Sequence, residues 1–308
     1  MGKYIFKRIL AMVPVVLLIT FAVFILSYVA AGDAARVIAE TRYEHPSVAQ
    51  VEQIRHEEGL DRPLLVQYGS WLNKVLHGDF GTSYISRKPA FSELRRRVPA
   101  TAKLAVTALT LLLIVSIPLG VISAVYEGSL FDRIVQGLSF FSVSMPAFWM
   151  GLMLLYLFGV KLNAINVIGG TKGLPIIPAL AMDATGFGIL IRMVRTNMLQ
   201  ALKKDYIRAE KAKGMSGAVI VLKHCLKNIS IPVTTRLVST IIGMFCGSAI
   251  IEEIFSIRGI GKMALDAVHT KDAPVLECFI LVLAIAVVLI NLAVDILYSL
   301  IDRRIQLK

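Results

Sequence analysis

Residues 104–126 read LAVTALTLLLIVSIPLGVISAVY, 23 positions without one charge. At 1.5 Å per helical residue, about 20 residues cross the roughly 30 Å of hydrocarbon in a bilayer. The stretch therefore reads as a transmembrane helix. Two further runs are equally free of charge, Ile9 to Gly32 and Ile134 to Val160. Three more carry an ionisable residue or a polar end: Leu174 to Leu199 with Asp183, Ile231 to Ile251 with Arg236, and Cys278 to Ile301 with Asp295. The expectation is an all-α polytopic membrane protein of six helices, at about residues 9–31, 102–126, 134–160, 175–199, 231–251 and 278–301, forming one transmembrane domain over residues 1–308.

Composition agrees. The 308 residues are 56% hydrophobic and 18% charged, with a mean hydropathy of +0.71. A soluble domain places its apolar residues in short periodic segments that leave a wettable face; here they come in long uninterrupted runs. The net charge of +12 is a topology signal in such a chain, so no nucleic-acid partner is expected. Three cysteines, an odd number without a CxxC spacing, argue against a disulfide framework and against a zinc site. Lys3, Lys7 and Arg8 precede the first run as in a secretory signal, but 24 uncharged residues exceed the roughly 7–15 of a signal core, so a retained helix is expected.

With the N-terminus inside, the segments 1–8, 127–133, 192–236 and 302–308 are cytoplasmic, and 192–236 alone holds ten basic and two acidic residues. Both termini are then cytoplasmic. Arg95, Arg96 and Arg97 resist this reading, because they fall on the outer side.

Two connections are long. The outer one, residues 33–100, reads as a small helical cap. One helix opens at Pro46-Ser47 with Val48, Val51 and Ile54 on a face and stops at Gly59; a second repeats apolar residues from Leu64 to Leu76 and stops at Gly78. The inner one, residues 200–229, reads as two short helices broken at Gly214. Its basic face is open to two readings: anchoring on anionic lipid, or docking of a cytoplasmic partner by helix-in-groove contact.

No catalytic centre is legible. Gly261-Lys262-Met263 lacks the earlier glycine and the Ser/Thr of a phosphate loop. His45, His56, His77, His224 and His269 have no metal-site spacing, and the metal is unknown. Met145, Met150, Met153 and Met182 are soft side chains that in a span ordinarily serve packing. Asp183, with Met182 and Met145, is a candidate for the translocation path of a cationic substrate; the other reading is a protonated acid bonded to a neighbouring helix. Arg236 and Asp295 lie at similar depth from the inner face and either pair or reach the interface separately.

Several motifs carry a family resemblance: Gly59-Leu60-Asp61-Arg62-Pro63, Gln67-Tyr68-Gly69-Ser70-Trp71-Leu72, Gly78-Asp79-Phe80-Gly81-Thr82-Ser83, Pro99-Ala100-Thr101, Ser144-Met145-Pro146-Ala147-Phe148-Trp149, Arg192 to Leu199, Glu253-Ile254-Phe255 and Gly259-Ile260-Gly261. Together they make the chain resemble the inner-membrane permease subunits of dipeptide, oligopeptide and nickel ABC importers, the first permease half. The resemblance spans nearly the whole chain and implies the type I importer fold in a bacterial inner membrane. The implied partners are a homologous second permease in a heterodimer, two cytoplasmic ATPases and an external substrate-binding protein. It implies that this chain is not an enzyme and binds no cofactor, ATP and magnesium being held by the partner subunits. The loop around Arg208, Ala209, Glu210, Ala212 and Gly214 corresponds by resemblance to the ATPase-coupling "EAA" loop, with Arg208-Ala209-Glu210 standing where the triplet is expected. Ile257-Arg258-Gly259 departs from the family, which usually has Pro before that Gly. Asp272 to Phe279 and Leu65 to Trp71 resemble nickel permeases more than dipeptide ones. The expectation is thus nickel or a related metal or chelate, with a dipeptide or oligopeptide importer as the alternative and a secondary transporter or channel as a remote one.

Overall fold

The computed structural model describes residues 2–31, 33–164 and 175–301. Among these the chain is helical, with one isolated antiparallel bridge between Thr82 and Pro89. In chain order the helices are α1 (Gly2–Ala31), α2 (Ala34–Arg42), α3 (Val48–Glu57), α4 (Leu64–Leu76), α5 (Ala90–Val125), α6 (Leu130–Ser144) and α7 (Ala147–Leu154), which runs on as a wide π-helical stretch, Leu155–Lys161. There follow α8 (Ile176–Met182), α9 (Ala184–Leu202), α10 (Asp205–Ala212), the single turn α11 (Gly217–Val219), a π-helical stretch Ile220–Cys225, then α12 (Leu226–Ile254), α13 (Ile260–His269) and α14 (Ala273–Ile301). The described residues divide into two compact units, 2–100 with 258–296 and 101–257 with 297–301.

By length and composition, α5 and the Ala273–Ala293 part of α14 are each able to cross a membrane unbroken. Leu10–Leu26 of α1 is a shorter apolar helix. The other expected spans are bent. The stretch expected as one helix over 134–160 turns by 105° between α6 and the segment starting at Ala147. The cause is Pro146: its ring excludes the helical conformation from the preceding residue, and Met145 is accordingly extended (φ −96°, ψ 130°). The stretch expected over 175–199 turns by 65° at Asp183, whose φ −99° and ψ 10° close α8 and open α9. In α12, Pro232–Met244 and Ser248–Ile254 differ by 52°. Expected features between 165 and 174 lie outside the described residues.

In the first unit α4 docks on α1. Tyr68 sits edge-on to Phe21 and Phe24 and stacks on Trp71. Its hydroxyl donates to the Leu17 carbonyl at 3.2 Å and lies 2.9 Å from the Thr20 hydroxyl. Helix α3 starts at a full capping box between Ser47 and Gln50 and ends as expected at Gly59, which has φ +67°. The cap nevertheless holds one more helix than its sequence announces. Helix α2 buries only Ala35, Ile38 and Ala39, and two alanines make too small an apolar face to stand out. Helix α13 is likewise an addition, burying Ile260, Met263, Ala264 and Ala267; Gly261-Lys262-Met263 is simply its opening turn.

Helix α5 begins twelve residues before the expected start at 102, because the Ser92 and Glu93 amides turn onto the Pro89 carbonyl at 3.0 and 3.3 Å. Its 36 residues make about 54 Å, more than a bilayer needs. The extra turns carry the three arginines that resist the charge rule. Glu93, 7% exposed, accepts from Arg96 at 2.8 Å and faces Arg97 at 3.9 Å, and Arg97 also faces Asp266 at 3.8 Å. Two of the three charges are thus answered within the unit.

The second unit is built on α9, which packs against α6 and α12. Its core joins Leu112, Leu190, Val194 and Met198 to Ile207, Ile220, Cys225 and Val233. Close approach decides two positions: a Cβ on Gly120 would lie 2.7 Å from Val194, and one on Gly188 would lie 2.3 Å from the Ser139 carbonyl oxygen.

Candidate functional site

The segment expected to couple to an ATPase is built from its own anchors. Lys204 is extended (φ −74°, ψ 150°), and α10 then starts with Asp205 and carries Lys211 in its last turn, charges that complement the helix dipole. Ile207, 1% exposed, is the one buried residue of α10 and joins the core of the second unit, with Tyr206 and Met215 packed beside it. The helix ends in a Schellman cap: the Gly214 amide donates to Lys211 O at 3.0 Å and the Met215 amide to Glu210 O at 3.3 Å. That cap requires a left-handed residue, and Gly214 has φ +79°. Next, Ser216 caps α11 by accepting from the Val219 amide.

With Ile207 pinned, the rest of α10 faces outward. Arg208, Ala209, Lys211 and Ala212 are exposed, and Glu210 is half-buried. Arg208 faces Asp205 at 3.6 Å and Lys213 faces Glu210 at 3.3 Å. Both are exposed pairs worth well under about 1 kcal/mol. What remains is a short helix held by one apolar anchor, showing two alanines flanked by cations. Val219 and Leu222 beyond it are exposed too, at 41% and 66%.

The second group of expected residues meets where the two bent helices meet. The Ser142 hydroxyl donates to the Ala184 carbonyl, and the Thr185 hydroxyl lies 3.5 Å from the Met145 carbonyl it donates to. The Met145 carbonyl lies past the end of α6, where a helix leaves carbonyls open, and the Thr185 hydroxyl answers it; the Ala184 carbonyl, in the first turn of α9, takes Ser142 as an additional donor. Met145 and Met182 are half-buried here. Asp183 is 4% exposed, and its Oδ2 has no hydrogen-bond partner among the described residues. A Cβ on Gly186 would lie 3.3 Å from Asp183 Oδ1. Asp183 is thus enclosed within its own unit.

The expected Arg236–Asp295 pair is only half visible. Arg236 is half-buried in α12, and the Asp295 side chain lies outside the described residues.

Sequence reasoning missed two polar joints. The first is Asp132, which reads as one more loop charge. Arg195 Nε and Nη2 each donate to it at 2.7 Å, Ser123 donates at 2.5 Å and the Gly128 amide at 2.9 Å. The clamp ties α5, α6 and α9 together. Its one sequence signal is Ser129 three residues before Asp132, and Ser129 does cap α6 by accepting from the Asp132 amide. The second joint is Thr101, which donates to Glu252 at 2.6 Å with both residues buried.

In the first unit, the two stretches that lean toward nickel permeases have structural work. Asp272 accepts from the Ser83 hydroxyl at 2.5 Å and the Tyr84 amide at 3.1 Å. Gln67 donates to the carbonyls of Leu60 and Arg62 at 3.2 and 2.8 Å, and Trp71 packs on Phe24 and Tyr68. Burial, with the nearby Glu277 carboxylate adding to it, pushes the Tyr84 phenol well above its usual range, so Tyr84 is a neutral donor. Among the described residues no three His, Cys, Asp or Glu side chains converge.

Comparison with known proteins agrees with this architecture. A solved chain of the MetNI methionine ABC transporter in inward-facing conformations matches with a TM-score of 0.58 at 19% identity, covering 69% of this chain and 98% of that one; the likeness is one of fold. The glutathione transport system permease protein GsiC of Salmonella choleraesuis (strain SC-B67) is 34% identical over 309 residues, covering 100% of both chains. GsiC of Escherichia coli (strain K12) is 33% identical over 310 residues, again covering 100% of both. A model of the N-terminal part of binding-protein-dependent transport system membrane components matches residues 1–105. The model described as binding-protein-dependent transport system inner membrane component matches residues 116–307. The chain belongs to this family of ABC importer permeases.

Proposed function

We propose that the chain forms half of the translocation pathway of an ATP-driven importer for glutathione-like or other short peptides in a bacterial inner membrane. The observation that carries this is end-to-end similarity to GsiC permeases at 34% identity. It favours the peptide alternative over the nickel expectation, and Asp272, Gln67 and Trp71, among the residues behind the nickel leaning, hold hydrogen bonds and ring packing within the first unit. The partners in this reading are a homologous second permease, two ATPases holding ATP and magnesium, and an external binding protein. The exposed α10–α11 segment docks the ATPase on the cytoplasmic side. The six apolar segments cross the membrane, and residues 33–100 lie outside.

The test is uptake by the complete importer reconstituted in liposomes, with ATP inside and the binding protein outside. Labelled glutathione and dialanine are expected to accumulate only with ATP, and a tenfold excess of nickel is expected to leave their uptake unchanged. ATP-driven nickel uptake without peptide uptake would return the assignment to a metal.

A further inference from the structure

A cavity of about 760 Å³ lies within the first unit, walled by α1, α2, α4, the 79–84 loop and the first turn of α14. Its size falls in the range of small-molecule sites. Several charges on its wall are already answered. Arg42 faces Glu58 at 3.1 Å and Glu57 at 3.7 Å. Asp79 accepts from the Gly81 amide at 2.9 Å, and Arg87 donates to the Thr41 carbonyl at 2.6 Å.

One buried group on the wall is not answered. Glu277 lines the cavity, is only 8% exposed, and makes no side-chain hydrogen bond among the described residues. A buried carboxylate without donors costs free energy that a matching ligand returns. It wants a cation with N–H groups. Arg62 and Lys74 add positive charge to the same lining.

We propose that this cavity binds a small zwitterion of dipeptide size, with Glu277 receiving a primary ammonium and Arg62 and Lys74 receiving the carboxylate. Naming a peptide as the occupant rests on the function proposed above. An ammonium joined to an anion is also the chemistry of a phosphatidylethanolamine headgroup, and α14 enters its apolar stretch at this point.

The test measures binding of labelled dialanine to the assembled importer in phosphatidylglycerol nanodiscs, without the external binding protein. Dialanine is expected to bind saturably, and N-acetyl-dialanine, which lacks the ammonium, about tenfold more weakly or worse. Glu277→Gln is expected to weaken dialanine by a similar factor, and Lys74→Gln by several-fold. The acetylated probe needs no variant, so the idea stays testable if Glu277→Gln fails to assemble. If phosphatidylethanolamine added to the nanodiscs displaces dialanine, the ammonium site stands with lipid as its source. Equal binding of the two probes, equal binding by wild type and Glu277→Gln, or no binding of dialanine with no effect of phosphatidylethanolamine would each overturn it. Uptake with the binding protein present is scored separately, so loss of this site and loss of the peptide importer reading are distinguishable.

Discussion

Asp132 shows how much a single side chain carries. Its 4% exposed carboxylate takes four donors from three stretches of chain, and a charge so placed is tolerable only while its partners remain. Asp132→Ala leaves Arg195 facing an apolar interface and is expected to cost about 3–5 kcal/mol of stability. Arg195→Met in the same chain removes the stranded cation and is expected to recover more than about 1 kcal/mol of that loss. Thermal unfolding of the single and double variants in detergent reads this directly, and strictly additive losses would show that the two groups do not act as a pair. The sequence shows Asp132 and Arg195 63 positions apart with nothing to join them. Only the fold makes one unit of them.

At the scale of an element, α10 is the instructive case. Its eight residues are too few to be helical alone in water, where isolated helices need roughly 12–15. It persists through Ile207 in the core and the cap at Gly214. Because those anchors lie on one side, Ala209 is free to be changed without touching the core. Ala209→Trp is expected to leave membrane insertion and thermal stability as they are and to abolish substrate-stimulated ATP hydrolysis by the assembled importer. Retained stimulation would remove this face from the ATPase contact and leave the lipid-anchoring reading of the basic loop. The end of this element was legible, since Gly214 breaks the helical pattern where the structure turns. The bends at Met145-Pro146 and Asp183 were not read: hydropathy reports whether a stretch is apolar and says nothing of its direction. Pro146 was the available signal, and Ser142 and Thr185 show what the bends do, bringing hydroxyls of one bent pair to carbonyls of the other.

For the whole molecule the open prediction is sidedness. Gly69 in α4 and Gly217 beyond α10 each have nothing within 4 Å of an added Cβ, so a cysteine fits at either. Cys225 and Cys278 are buried, and labelling of the parent chain, which carries all three native cysteines, sets the background. In intact spheroplasts a membrane-impermeant maleimide is expected to label Gly69→Cys and to reach Gly217→Cys only after lysis; the opposite pattern would invert the topology. The sequence by itself determined the class of molecule, because charge-free runs of this length have no stable place in water, and it determined the start of α3 and the ends of α3 and α4, because Ser47, Gly59 and Gly78 act on the few residues around them. The nickel leaning is less well supported than the peptide reading, and the residues it rested on, such as Asp272, Gln67 and Trp71, have hydrogen-bonding and packing roles that leave the same trace in a sequence as binding would. The tertiary structure alone decided the Asp132 clamp, the meeting of the two bent helices, and the burial of Glu277 in the wall of the cavity of the first unit. Each depends on groups 40 or more residues apart in the chain, and whether a charge is answered is a property of its surroundings, which a sequence does not contain until it folds.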